Sequence, residues 1–503
     1  MVDDLPKGWA LATLTDVAVW SSGGTPSRSK SKFYTGQIPW FKTGELGVRT
    51  LWESEEHISE EAIDSSSAKI FPRGSVALAM YGATIGKASI FGIDAATNQA
   101  CAVGIPDAVS TDFLYGFLIS QTQAFIDAGK GGAQPNISQG IVKAWPICVP
   151  PKREQTRIVA KLEELLSDLD AGVAELKAAQ KKLAQYRQSL LKAAVEGALT
   201  AEWRQHNPQQ ETGAQLLERI LTERRARWEA RQLAKFASQG KAPPKDWQSK
   251  YPAPVAPDMA GLPELPQGWV WSSIGQCFHV AVGATPSRKE PEYWGGDIPW
   301  VSSGEVRFSR ITETKETITQ AGLNNSSTKI NPIGSVLLGM IGEGKTRGQV
   351  AILDVEAANN QNCAAIWVAK TGIASEYVYH WLWSQYEQTR KGSSGNNQPA
   401  LNKSIVERIP FPLPPLDEIN VITEAVDSAL ASVSMQERAI EISLKQSTAQ
   451  RQNILRAAFA GQLVPQDPND EPASALLERI RTERAAQASI PKVRKARAVK
   501  EVT

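Results

Sequence analysis

Gly339 to Thr346, GMIGEGKT, satisfy the phosphate-loop pattern G-x-x-x-x-G-K-S/T. In that pattern the N–H groups of a glycine-rich turn cradle phosphates, the lysine reaches outer phosphate oxygens, and the hydroxyl holds magnesium. The chemistry needs a buried strand before the loop and a helix after it, with the helix N-terminus facing the phosphates. Ser335 to Leu338 read as the strand, but Gly348 follows closely and a second β-like run, Val350 to Leu353, comes next. Asp354 stands where a magnesium-holding aspartate would end an apolar run, yet only ten residues after Gly344, too near for an intervening helix. Glu343 and Lys345 have an E-x-K shape without a partner aspartate at suitable spacing. The chain shows no amino-methyltransferase N/D-P-P-Y/F text and no nucleophile elbow. Cys101, Cys148, Cys277 and Cys363 lack metal or redox spacing, and His57, His206, His279 and His380 form no ligand pair, so no metal site is expected.

What must position these residues is a duplicated chain. A length of 503 residues implies at least two domains. LPKGWALATL at Leu5 returns 260 residues later as LPQGWVWSSI at Leu265, and TPSR at Thr25 and IPW ending at Trp40 return at the same interval. The interval grows to 262 at TNQAC and NNQNC (Cys101, Cys363) and to 264 at Gln134 and Gln398. The first half carries YGATIGKASI, Tyr81 to Ile90, where the second carries the phosphate-loop lookalike. One fold holds both versions, so the loop reads as a variable turn between strands. Its Lys345 and Arg347 are then available to another anion.

Each globular segment, 1–150 and 265–413, alternates short apolar runs with Gly, Pro, Ser and Asn turns, which predicts an α+β domain with a twisted sheet. Prolines then open a long helix in each half. Ile158, Leu162, Leu165, Leu169, Gly172, Leu176, Ala179, Leu183, Tyr186 and Leu190 alternate steps of four and three; Ile422, Val426, Val433 and Ile440 keep that register in the second helix. Pairing the two helices within the chain is the economical arrangement, and about 45 residues would make a rod of about 65 to 70 Å. Gly197 and Gly461 read as helix caps. Short amphipathic helices follow, so that 151–240 and 414–488 are helical segments, 241–264 a proline-rich linker and 489–503 a basic tail. The formal net charge of +2 neither demands nor excludes nucleic acid. No run approaches the roughly 18 apolar residues of a membrane helix. A cytoplasmic location without membrane contact is expected.

The ordered set GWxxxxL, TPSR, IPW, NQ-A/N-C, Q-P-x-I/L and PPxxEQ, repeated once over nearly the whole chain, resembles the specificity subunit of a type I restriction-modification system. The resemblance implies two target-recognition domains joined by two antiparallel helices in an intramolecular coiled coil. Each domain would read one half of a split, asymmetric sequence in double-stranded DNA. The helices would dock two adenine methyltransferase subunits, with which ATP-dependent restriction subunits associate. S-adenosylmethionine, ATP and magnesium would belong to those partners, leaving this chain non-catalytic and without a cofactor. PPLDEI departs from PPKREQ: Glu418 aligns with Glu154, but Ile419 stands opposite Gln155.

Duplication also sorts the residues. Shared positions cannot distinguish different half-sites, so they build scaffold or hold phosphate, whereas differing loop positions are free to read bases. Arg28 and Arg288 are phosphate candidates, the alternative being that each ties its own loop. Lys30 and Lys32 against Lys289, Lys42 against Ser302, and Lys87 against Lys345 and Arg347 differ between halves. In the Gly-rich turns 129–139 and 391–403, Lys130, Gln134, Asn136, Lys391, Asn396, Asn397 and Gln398 have the amide and amine chemistry that pairs with adenine and guanine edges; turn formation alone also explains asparagine beside glycine. Trp9, Trp269, Trp40 and Trp300 are expected in the core. Two readings compete with DNA recognition: a coiled-coil scaffold without DNA readout, and a phosphate-loop enzyme using Gly339 to Thr346.

Overall fold

The computed structural model describes residues 5–129, 135–208, 210–342, 345–391 and 401–488. It divides into two compact units, Met1–Lys177 with Glu441–Thr503, and Ala178–Ile440. These units cut across the linear segments of the sequence because each long helix contributes its beginning to one unit and its end to the other.

In the first unit Ala10–Thr13 pairs antiparallel with Pro146–Val149, closing the globular domain by its own ends. A five-stranded sheet runs Ala18–Ser22, Cys101–Pro106, Val76–Ala79, Ala88–Phe91, Thr50–Leu51. A three-stranded sheet runs His57–Ile58, Ile38–Phe41, Ala96–Thr97. The second unit repeats this order strand for strand: His279–Val282, Cys363–Trp367, Val336–Gly339, Val350–Leu353, Ser309–Ile311 in the larger sheet, and Glu316–Ile318, Trp294–Val301, Ala358–Asn359 in the smaller. The architecture is therefore α+β and duplicated. Trp40 and Trp300 are buried, each donating its indole N–H to the TPSR turn, at Gly24 O (3.0 Å) and Ala284 O (3.1 Å).

Both long helices, Lys152–Val195 and Leu416–Phe459, span 44 residues. Gly197 (φ 70°) and Gly461 (φ 72°) follow them in the left-handed conformation that suits a glycine cap. The helix pair is antiparallel within each unit: Asp170 meets Arg451 in the first, and Arg187 meets Glu437 in the second. The seam is not uniform. Ile158 and Leu162 belong to the first domain core, and Ile422 and Val426 to the second. Leu165, Leu169, Leu176 and Leu183 are only half-buried, as two helices without further cover allow, while Leu190, Val433 and Ile440 are buried. Tyr186, in register by sequence, lies 51% exposed, so its bulk is turned out of the seam.

Each core is completed by the far end of the other repeat's helix. Leu455, Ala458, Ala473 and Leu477 enter the first domain core, and Leu191, Ala194, Val195, Leu216 and Ile220 the second. The related texts SLLKAAVEGALT and NILRAAFAGQLV carry these apolar residues. The short helix Gly213–Ser238 starts at a Thr212/Gln215 capping box, and its Gly213 N–H donates to Gly268 O (2.7 Å) in the second GW turn. Ala473–Ala488 begins in the same way, Ala473 N–H to Gly8 O at 2.9 Å.

Candidate nucleic-acid interface

At one end of the larger sheet in each unit three turns are tied together. In the first unit the Thr25 hydroxyl donates to Gln99 Oε1, so the TPSR turn meets the NQ turn. The NQ turn continues to the strand end through Met80 N–H to Ala100 O (2.9 Å). Met80 O accepts from Ile137 N–H (2.9 Å), and Gly82 N–H reaches Pro135 O (3.0 Å), which seats the described end of the Gly-rich turn beside the hairpin loop. The second unit repeats three of these ties: Thr285 hydroxyl to Gln361 (2.6 Å), Met340 N–H to Asn362 O (2.8 Å), and Leu401 N–H to Met340 O (3.2 Å). Gln99 and Gln361 are exposed at the centre of this edge, each presenting an amide NH2.

The phosphate-loop lookalike lies here. Val336–Gly339 and Val350–Leu353 are antiparallel partners, so its segment is a hairpin connection with no helix after it. Asp354 accepts from Arg310 Nε and Nη2 at 2.8 and 2.6 Å, which occupies the carboxylate that would have held magnesium.

The candidate cations divide into two groups. Arg28 lies 4.2 Å from the Tyr34 ring centroid and donates to Glu56 at 2.6 Å. Arg288 lies 3.7 Å from Trp294 and donates to both oxygens of Glu316, at 2.5 and 2.9 Å. These bonds hold the carboxyls of Glu56 and Glu316 below their ordinary range. Lys32 pairs with Glu61 and Lys42 with both Glu55 and Glu56. Ser302 instead caps its turn through Glu305 at 2.8 Å. Lys30, Lys87, Lys289 and Lys345 are exposed and make no ion pair among the described residues. Arg347 is half-buried and directed at Thr389 O (3.4 Å). Asn136 is exposed and bridges to Tyr81. Lys130, Gln134, Asn396, Asn397, Gln398 and the side chain of Lys391 lie outside the described residues.

Three of the cysteines are buried, their thiols pushed up to about 12 by that burial, and so offer no thiolate. Among the described residues no cluster of three or more His, Cys, Asp or Glu could hold a metal, and no helix is long and apolar enough to cross a membrane.

Residues 6–179 and 266–446 match the family described as the type I restriction modification DNA specificity domain. The chain belongs to this specificity family. It is 24% identical over 492 residues to the specificity subunit of the EcoDI type I restriction enzyme from Escherichia coli, covering 96% of either chain. The MjaIX specificity subunit from Methanocaldococcus jannaschii is 31% identical over 160 residues, 31% of this chain and 36% of that one. A chain solved in work on complex assembly and conformational transition of the type I R-M system aligns with TM-score 0.66 at 17% identity, covering 91% of this chain and 99% of that one. The HsdS subunit from Thermoanaerobacter tengcongensis aligns with TM-score 0.50 at 17% identity, over 91% and 98%. At these identities the two structures establish the fold.

In this specificity chain, sequence reasoning passed over Gln99 and Gln361 and the acidic partners Glu56 and Glu316. The signal was present. Glu316 lies 260 residues after Glu56, the interval that separates Arg288 from Arg28.

Proposed function

We propose that this chain is the DNA-recognition subunit of a type I restriction-modification complex and performs no covalent chemistry itself. The observation that carries this reading is the same three-turn edge built twice on matching sheets, with different lysines on each copy that make no ion pair among the described residues. Each edge reads one half of a bipartite, asymmetric sequence. Lys30 and Lys87 on one, and Lys289 and Lys345 on the other, approach phosphates, while Gln99, Gln361, Asn136 and the Gly-rich turns approach base edges. Arg28 and Arg288 stiffen the turns through their glutamates and present their remaining N–H groups outward. The two long helices dock two methyltransferase subunits, with which restriction subunits associate; S-adenosylmethionine, ATP and magnesium are held by those partners. A chain of net charge +2 contributes modest nonspecific affinity on its own, since that affinity follows the number of phosphates neutralised.

The test is a map of N6-methyladenine in a methylation-free host expressing the methyltransferase with and without this chain. Methylation at a two-part asymmetric sequence only when the chain is present is the expected result. A soluble complex that adds no methylation sinks the recognition reading and leaves the scaffold.

A further inference from the structure

The second unit holds a basic cavity at the other end of its larger sheet. His279 opens the strand that leads toward the Thr285 turn, and Trp367 closes the strand that starts beside the NQ turn, so both mark the end remote from the candidate DNA edge. Around them lies a cavity of about 610 Å³, within the range of roughly 300 to 1,000 Å³ typical of small-ligand sites. A second cavity of about 360 Å³ shares Arg224, Arg231 and His279 with it.

The helix Gly213–Ser238 supplies one wall with Arg224, Arg227 and Arg231, spaced three and four residues apart and therefore on one face. Lys370 adds a fourth cation, and Glu356 is the one acidic residue lining the larger cavity. None of these four cations has an ion-pair partner among the described residues. Arg224 donates to Gly275 O (2.7 Å) and Phe278 O (2.9 Å); among the described residues Arg227 and Arg231 donate to main-chain oxygens one turn back. Lys370 sits at φ 81°, a conformation that strains any residue bearing a side chain.

The first unit resolves the same position differently. Arg484, 260 residues after Arg224, bonds both oxygens of Asp107 at 2.8 and 2.6 Å. At the interval of 262 that relates Cys101 to Cys363, Asp107 is replaced by Ala369, next to Lys370. The second unit thus loses the carboxylate and gains a cation. Burial first, and then Lys403, Arg224, Lys329 and Arg231, push the His279 pKa down to about 4, consistent with a site of uncompensated positive potential.

We infer that this cavity is a binding site for a compact polyvalent phosphate: pyrophosphate or the diphosphate tail of a nucleotide. Guanidinium forks match phosphate oxygens in pairs, and an occupant carrying several charges relieves the repulsion among cations held on one helix face.

The experiment follows the melting temperature of the full chain against sodium pyrophosphate, against ADP, and against sodium chloride at matched ionic strength. A saturable rise with pyrophosphate or ADP beyond the chloride control is expected. Its midpoint concentration should increase at least tenfold in an Arg227→Ala/Arg231→Ala variant and in Lys370→Gly, the latter chosen because glycine suits the left-handed backbone. A lower midpoint for ADP identifies a nucleotide as the source of the diphosphate; a lower one for pyrophosphate identifies the free anion. Equal shifts in the variants and the parent, or none beyond chloride, overturn the site. Displacement of pyrophosphate by a short random duplex would assign the cations to a DNA backbone and overturn the small-ligand reading.

Discussion

Trp9 and Trp269 each direct an indole N–H at a fully buried carboxylate, Glu154 Oε1 at 3.1 Å and Glu418 Oε2 at 2.9 Å. This is the physical content of the paired GW and PPxxE texts, which tie each domain to the start of its long helix. The two anchors are not equal. Glu418 also accepts from Thr200 (2.6 Å) and Arg204 (2.7 and 3.0 Å), whereas Glu154 has Trp9 and a 3.3 Å bond from Gln466, with its Oε2 buried and unpartnered among the described residues. Glu418→Gln leaves Arg204, 16% exposed, without its charge partner and should destabilise the second unit by about 3–5 kcal/mol. Calorimetry of the variant checks this. Glu154→Gln should be near neutral at pH 7. Burial raises the Glu154 carboxyl above its ordinary value of 4.5, so the folded state holds the proton more tightly than the unfolded. The contribution of Glu154 to the stability of the first unit is then fully present below the unfolded carboxylate range and is lost as pH rises through it toward the raised folded value. From pH 4 to 7 the melting temperature of the parent minus that of Glu154→Gln should fall by that contribution.

Among the elements, the long helices act in two ways along one length. Ile422 is fully buried in a domain core, while Leu176 is half-buried in the seam. Ile422→Ala should cost about 2–5 kcal/mol and Leu176→Ala clearly less, since the cost follows the cavity left behind. Urea unfolding of the two variants orders them. The hairpin loops behave as turns with a cation. Lys87→Ala and Lys345→Ala should each weaken DNA binding by the assembled complex across all sequences and reduce its salt slope by about 1. Titrations at several salt concentrations test both, and an unchanged slope would remove that lysine from the phosphate contacts.

For the whole molecule, duplication within one chain makes the two recognition units separately alterable. Replacing segment 81–87 by the sequence of 341–349, or the converse, should change the half of the methylated sequence read by the altered unit and leave the other half as before. Methylome sequencing reads this directly. Simultaneous change of both halves by one such replacement would mean that the turns act on assembly instead of readout. Each domain core takes apolar residues from the far end of the other repeat's helix, so truncation after residue 440 removes Leu455, Ala458, Ala473 and Leu477 and should unfold the first unit, although its globular segment would be intact.

The duplication, the α+β class, the two long helices and the shared TPSR, IPW and NQ turns were legible in the sequence because they rest on repeats, periodicity and glycine or proline placement, which act over a few residues. The exclusion of a phosphate loop was legible too, since Gly348 and the Val350 run leave no space for a helix. Tertiary structure alone decided which cations remain open: Arg28 meets Glu56 across 28 residues, while Lys87 meets no acid among the described residues. It also decided that Tyr186 leaves the seam, and that Arg224 meets no carboxylate among the described residues where its counterpart Arg484 finds one. Charge compensation and burial depend on groups brought together from distant parts of the chain, and local spacing carries no record of those distances.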